Sequence, residues 1–252
     1  MTLAAQETEV TLAPEPVQAP ALEVAGLQAW YGESHILHGV DFKVQRGEVI
    51  TLLGRNGAGR STTLRAIMGL VRKRSGSIRI GGRETIGLAP HTIARCGVGF
   101  CPEERGIFSS LSCEENLLLP PKVGTHPGAM TLDAIYEMFP NLATRRKSQG
   151  TRLSGGEQQM LAVARILRTG ASLLLLDEIS EGLAPVIVQT LARAIVTLRG
   201  LGYTIVMVEQ NFRFAAPLAD RFYVMEHGRL VERFGAAELE SRLPTLHTLL
   251  GV

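Results

Sequence analysis

Cysteine is scarce in this chain: its 252 residues hold three, Cys96, Cys101 and Cys113, and no two form a C-x-x-C pair. That argues against a disulfide framework, so reduced, buried thiols in a cytosolic protein are expected. Long apolar runs are lacking too. None approaches the roughly 20 residues that a membrane-spanning helix needs, so attachment to a bilayer would require a partner. Nor is there an excess of one charge: 26 Lys and Arg against 24 Asp and Glu leave +2. Such a balance gives no basic face for nucleic acid, and no nucleic-acid partner is expected. Residues 1–21 contain no Lys or Arg and are rich in Ala, Pro and Glu. Without a positive start they do not read as a secretory signal, and a disordered N-terminal tail is the expectation. The length suits one large domain, or a core with a smaller lobe.

What is present begins with the apolar run Val49-Ile50-Thr51-Leu52-Leu53, followed by Gly54-Arg55-Asn56-Gly57-Ala58-Gly59-Arg60-Ser61-Thr62. The order strand, glycine loop, helix matches the P-loop G-x-x-x-x-G-K-[ST] except at Arg60, where lysine is usual. Glycines let the backbone turn its N–H groups onto an anion, and the helix N-terminus adds free donors and the positive end of its dipole. Ser61 would hold Mg²⁺ and Thr62 would donate to a phosphate. Similar turns occur in α/β proteins that bind no nucleotide, so the downstream motifs carry the decision.

Leu22–Leu27 and Ile36–Val44 read as strands of an antiparallel β piece, with Trp30-Tyr31-Gly32 between them and a turn at Gln45-Arg46-Gly47-Glu48. Tyr31 by itself suits core packing. A further strand and turn are expected over Ser75–Gly82, and a buried strand over Gly97–Pro102. Helical spacing then takes over at Cys113–Leu118, Leu132–Phe139 and Glu157–Leu167, interrupted by Pro120-Pro121 and a Gly/Pro-rich stretch through Gly128. Ser154-Gly155-Gly156-Glu157 opens the last of these at capping-box spacing, and its free N–H groups are also an anion cradle.

The run Ala171–Leu176 is continuously apolar and ends in Asp177-Glu178. It fits a parallel strand covered on both faces, with its carboxylates on the ligand-binding rim. Asp177 is placed to organise Mg²⁺ through water, and Glu178 to polarise an attacking water. Pro185–Leu198 reads as a helix and Tyr203–Val208 as a buried strand before Glu209-Gln210-Asn211. Phe214–Leu218 reads as helical, Arg221–Met225 and Arg229–Phe234 as strands, and Ala236–Leu250 as a packing helix.

With the P-loop, Leu153-Ser154-Gly155-Gly156-Glu157-Gln158-Gln159 and Leu173–Glu178 in this order, the chain resembles an ATP-binding-cassette (ABC) ATPase from about Leu22 onward. Pro102–Phe108, Ser180-Glu181-Gly182-Leu183-Ala184-Pro185 and Val208-Glu209-Gln210-Asn211 resemble, more narrowly, the smaller ATPase subunit of bacterial branched-chain amino acid importers. The resemblance implies an α/β fold: a P-loop ATPase core with a mainly parallel sheet, an antiparallel β subdomain and an inserted helical subdomain. The ATPase domain would be 22–252, with the helical part at about 103–168.

It also implies ATP and Mg²⁺, and two such subunits paired head to tail, as a heterodimer, on two membrane permease subunits. These would sit at the cytoplasmic face of the inner membrane, with a periplasmic binding protein delivering the substrate. Tyr31 would stack on adenine, and Asn56, Gly57, Ala58, Gly59, Arg60, Ser61 and Thr62 would cradle phosphates. Ser154, Gly155, Gly156 and Glu157 would serve the partner's nucleotide. Glu178, Gln210 and Glu103 would be catalytic, and Ser61, Glu103 and Asp177 would hold the metal.

Several positions depart from the general ABC pattern. Glu103 stands for a Gln, Gln210 for a His, Ala184 for an Asp and Ile179 for a Pro. The first three fit the branched-chain subgroup. Arg60 keeps the charge but not the geometry of lysine, so slow hydrolysis at this P-loop is the expectation. A nucleotide-binding subunit with little turnover of its own, supporting its partner's site, is the alternative. Urea or amides are alternative cargoes.

Overall fold

The computed structural model describes residues 19–123 and 130–251. The expected tail therefore falls almost wholly outside the described residues, as does most of the Gly/Pro-rich stretch before Gly128.

Two long strands, β1 (Leu22–Tyr31) and β2 (Ser34–Val44), form a hairpin around the Gly32 turn. β3 (Val49–Gly54) is buried throughout and leads through the glycine loop into α1 (Arg60–Ile67). β4 (Lys73–Ile80) and the short β5 (Arg83–Glu84) follow, then α2 (Pro90–Ala94) and β6 (Val98–Cys101). Helices occupy the next stretch: α3 (Cys113–Leu118), α4 (Leu132–Met138), α5 (Pro140–Thr144) and α6 (Gly155–Arg168). The chain then runs through β7 (Leu173–Asp177), α7 (Pro185–Gly200), β8 (Thr204–Glu209), α8 (Phe212–Ala215), β9 (Arg221–Glu226), β10 (Arg229–Gly235) and α9 (Leu239–Leu250).

One sheet is antiparallel, in the order β2-β1-β4-β5; the other runs β10-β9-β3-β8-β7-β6 and is parallel except for β10. The two faces of the parallel sheet explain the run of four leucines in β7. Leu173 and Leu175 pack towards the antiparallel sheet and α1, whereas Leu174 and Leu176 pack towards the helices. Both faces are dry, so no polar alternation is needed. Cys101 and Cys113 are buried and Cys96 half-buried, all three as free thiols. No helix of the described residues is long and apolar enough to cross a membrane.

Local chemistry accounts for most helix boundaries. Ser112 and Ser154 each accept from the backbone three residues on, while Glu115 and Glu157 reach back to the serine N–H groups; both are complete capping boxes. Proline opens α2, α5 and α7, where its missing N–H costs nothing. Two short helices, α2 and α5, were absent from the sequence expectation because neither has room for an apolar repeat. The helix expected at Phe214–Leu218 begins earlier, at Phe212, because Asn211 caps it by accepting from the Phe214 N–H.

The turn between β9 and β10 anchors the P-loop. Gly228 donates to the Ala58 carbonyl at 2.9 Å and accepts from the His38 N–H at 2.9 Å, joining the two sheets behind the glycine loop. Its φ is 74°, and a Cβ there would stand 1.9 Å from the Ile36 carbonyl oxygen. Gly228→Ala therefore combines backbone strain with a clash against main chain, and a loss of about 3 kcal/mol or more is expected. Denaturant unfolding measures it; a loss under about 1 kcal/mol would contradict this account of the turn.

Candidate active site

The glycine loop and the start of α1, together with β2 and the loops that follow β6 and β7, surround a cavity of about 390 Å³ lined by residues 56–62 with Ile36, Glu103, Glu178 and Glu181. Strand order brings them together: β3 and β7 flank β8, so the P-loop and the Asp177-Glu178 strand end open on the same rim. Gly57 and Gly59 have φ of 81° and 103°, conformations open to glycine, and α1 begins directly behind them.

Arg60 is 3% exposed. Its Nη2 donates to Glu178 Oε1 at 2.6 Å and to Asn56 Oδ1 at 3.3 Å. Its Nη1 is buried and finds no partner among the described residues. A buried guanidinium nitrogen with unused donors facing no acceptor suits a phosphate oxygen, the group a P-loop is built to hold.

Asp177 is fully buried at the end of β7, and its Oδ1 accepts from Ser61 Oγ at 2.8 Å. Its Oδ2 has no partner among the described residues. Burial raises its pKa, against which the Ser61 hydrogen bond and nearby arginines act. An orphaned carboxylate oxygen beside a serine hydroxyl is the donor chemistry of Mg²⁺, a hard cation bound by few protein oxygens and several waters. The residues present therefore fit that ion, with Ser61, Asp177 and Glu103 as its surroundings.

Glu178 has a φ of 47°, rare for a residue with a side chain, and its N–H donates to the Val208 carbonyl at 2.8 Å. Carboxylate oxygens of Glu103, Glu178 and Glu181 all lie within 4.8 Å of one another. Burial first, then a hydrogen bond with Glu181, pushes the Glu178 carboxyl up to about 7, with Arg60 pulling the other way. A carboxyl tuned in this way, on a strained residue in a cleft, is suited to general-base work.

The other expected residues lie outside this cavity. Tyr31 is 46% exposed at the end of β1 and is not among the lining residues, with the Arg65 guanidinium of α1 as its charged neighbour. Gln210 lines a neighbouring cavity of about 570 Å³ together with Glu178, Ser180 and Glu209. Ser154 and Gly155 are exposed at the start of α6; Gly156 is buried, and a Cβ there would meet Ile187 at 2.7 Å, so close packing alone demands glycine. Glu157 is occupied by its cap and by Arg145 at 3.3 Å. The loop after β6 is tied to this helix. Arg105 donates to Gln158 Oε1 at 3.0 Å, and Arg165 donates to the Gly106 carbonyl while its guanidinium lies over the Phe108 ring.

Three participants escaped the sequence reading. Glu181 and Ile36 line the phosphate cavity, and Glu209, quoted earlier only within a motif, is buried beside Ser180. An acid directly before a glycine, Glu181-Gly182, just beyond the Asp177-Glu178 strand end was the available signal for Glu181; Ile36 and Glu209 gave none.

The cassette architecture recurs among solved structures. A nucleotide-free ATP-binding cassette from an ABC transporter superposes with a TM-score of 0.79 at 20% identity, covering 93% of this chain and 99% of that one. An ATP-binding subunit of an ABC transporter gives 0.75 at 27% identity, covering 92% and 100%. Among sequences, BraG of Pseudomonas aeruginosa, a high-affinity branched-chain amino acid transport ATP-binding protein, is 44% identical over 81% of this chain and 88% of its own length. LivF of Archaeoglobus fulgidus, a probable branched-chain amino acid transport ATP-binding protein, is 36% identical over 86% and 93%. The ABC transporter family matches residues 37–181, more than half of the chain. Rim, glycine loop, paired carboxylates and these likenesses agree: this chain belongs to the ABC transporter family, as an ATP-binding subunit that hydrolyses ATP.

Proposed function

We propose that this chain is the smaller ATPase subunit of an importer for branched-chain amino acids. The observation that carries the pairing is the separation of its two anion cradles: the phosphate cavity contains the P-loop and Glu178 but not the Ser154–Glu157 turn. A second ATPase subunit, arranged head to tail, supplies that turn to this P-loop and receives this chain's turn in exchange. The partner is a different chain, so the pair is a heterodimer. The 44% identity to BraG supports the choice of cargo.

Residues 22–252 act as one ATPase domain on the cytoplasmic face of the inner membrane. Its helical part, about 103–168, meets two permease subunits, which a periplasmic binding protein loads. The exposed Tyr31 ring stacks on adenine. Residues 56–62 orient the phosphates by main-chain N–H groups, with Arg60 and Thr62 adding side-chain donors. Ser61, Asp177 and Glu103 hold Mg²⁺, which supplies charge neutralisation at the phosphate oxygens when bound. Glu178 takes a proton from the attacking water, and Gln210 holds the γ-phosphate end by an amide hydrogen bond. Gly155 presents its helix-start N–H to the partner's nucleotide and Ser154 its hydroxyl, the Ser154 N–H being held by Glu157.

A second reading concerns rate. The 2.6 Å ion pair between Arg60 and Glu178 engages the base, and it favours slow hydrolysis at this P-loop with the partner's site turning over faster.

Uptake by proteoliposomes holding the chain with its permeases, second ATPase and binding protein tests the cargo. ATP-driven accumulation of leucine, isoleucine and valine is expected; accumulation of urea or short amides instead would replace this reading with the amide importer.

A further inference from the structure

Among the groups the proposed mechanism leaves unused, Glu209 is the most constrained. It ends β8, is 1% exposed, and pairs in register with Leu53, the residue before the P-loop. Its Oε2 lies 2.7 Å from Ser180 Oγ, and its Oε1 accepts from the Ser180 N–H at 3.3 Å. Ser180 is itself buried, two residues beyond Glu178 at the start of the loop after β7. One step away, the Glu178 N–H donates to the Val208 carbonyl at 2.8 Å. The exit of β7 is thus stitched to the exit of β8 at two consecutive levels, once through main chain and once through the Glu209 carboxyl.

We propose that Glu209 is a positioning residue for ATP hydrolysis, strapping the loop after β7 at Ser180 to the strand that leads into Gln210. The strap rests on the reading that Glu178 serves the γ-phosphate. Glu178 turns through a left-handed conformation at φ 47°, which persists only where the surroundings hold it. Residues on either side supply that hold: Asp177 is paired in the sheet, and Ser180 is gripped by Glu209. On the other strand, Gln210 follows Glu209 directly, so one buried carboxyl sets the entry of both functional side chains into their shared cavity. A polar group buried this deeply is retained at a cost unless both its oxygens are used, and here Ser180 uses both.

Burial, with Glu178 adding in the same direction and Ser180 and Arg60 opposing, pushes Glu209 up to about 8. Ser180 donates to it twice, from Oγ to Oε2 and from its N–H to Oε1. A glutamine keeps both contacts, its amide oxygen accepting from the N–H and its amide nitrogen donating to Oγ once the hydroxyl turns.

The test uses the full chain assembled with its partner subunits and carrying Glu209→Gln, Glu209→Leu or Ser180→Ala. ATP turnover, affinity for a fluorescent ATP analogue and melting temperature are measured on each. Glu209→Leu and Ser180→Ala are expected to lower kcat about tenfold or more with analogue affinity within about twofold of the native chain, because misplacement penalises the transition state rather than binding. Glu209→Gln restores most of the native kcat. Ser180→Ala, a small change, keeps the experiment decisive if Glu209→Leu does not fold. Native kcat in both Ser180→Ala and any folded Glu209→Leu overturns the strap, as does a Glu209→Gln chain as slow as Ser180→Ala. Glu178→Gln measured alongside separates the two levels: if it turns over like the native chain, the role of Glu178 has failed; if it is inactive while Ser180→Ala is native-like, the strap alone has failed.

Discussion

Glu178→Gln is expected to cut ATP turnover by about two to four orders of magnitude while leaving ATP binding nearly intact, the range that general-base removal spans. Glutamine preserves size and can still accept from Arg60 through its amide oxygen, so the cavity and the P-loop remain assembled. What it cannot do is take a proton. The native carboxyl sits 9% exposed among Arg60, Glu103 and Glu181, and its φ of 47° fixes its direction into the cavity. Binding depends instead on the main-chain N–H groups of residues 56–62, which the substitution leaves alone. Turnover and equilibrium binding of ATP, measured separately on the assembled complex, check this outcome. A fall of less than about threefold in turnover would move the base elsewhere, with Glu103 and Glu181 the next carboxylates in reach.

Arg60→Lys is expected to raise turnover at this P-loop by about tenfold, with a smaller change in ATP affinity, since position at the phosphate is the main source of rate. The guanidinium reaches Glu178 and Asn56 with one nitrogen, and its Nη1 is buried without a partner among the described residues. An arriving phosphate must compete with Glu178 for this group, and a planar fork serves two anions at once more readily than a compact ammonium does. The pair therefore persists further along the reaction with arginine, and the base stays engaged. Lysine keeps the charge and releases the carboxylate. The comparison uses complexes whose partner subunit carries its own inactivating substitution, so that only this P-loop is read. Equal rates for the two chains would remove the idea that Arg60 slows hydrolysis.

Much of the site was legible because local rules determine it. Glycine spacing after an apolar strand specifies a phosphate loop regardless of context, and the Ser154 and Glu157 capping box needs only four residues to form. The four leucines before Asp177 announced a strand buried on both faces, and the parallel sheet bears that out. Less was legible where the determining contact is distant in sequence. Gly228, 170 residues from the P-loop's Ala58, looked like an ordinary hairpin turn until its hydrogen bond to that loop was seen. Tyr31 left two readings open, and the structure leaves its ring 46% exposed at the end of β1, which is not core packing.

By itself, then, the sequence determined which residues could meet phosphate, metal and water, because each chemistry needs particular side chains at fixed short spacings. It also specified the order of strands and helices, through apolar period and capping. Only the tertiary structure decided that Arg60 grips Glu178, that Asp177 keeps one oxygen unpaired, and that Glu209 holds Ser180. These are meetings of strand ends brought onto one rim by parallel crossovers, and their consequences depend on burial. The same arginine and glutamate in water would exchange partners freely; enclosed together, they settle which charge is engaged before the nucleotide arrives.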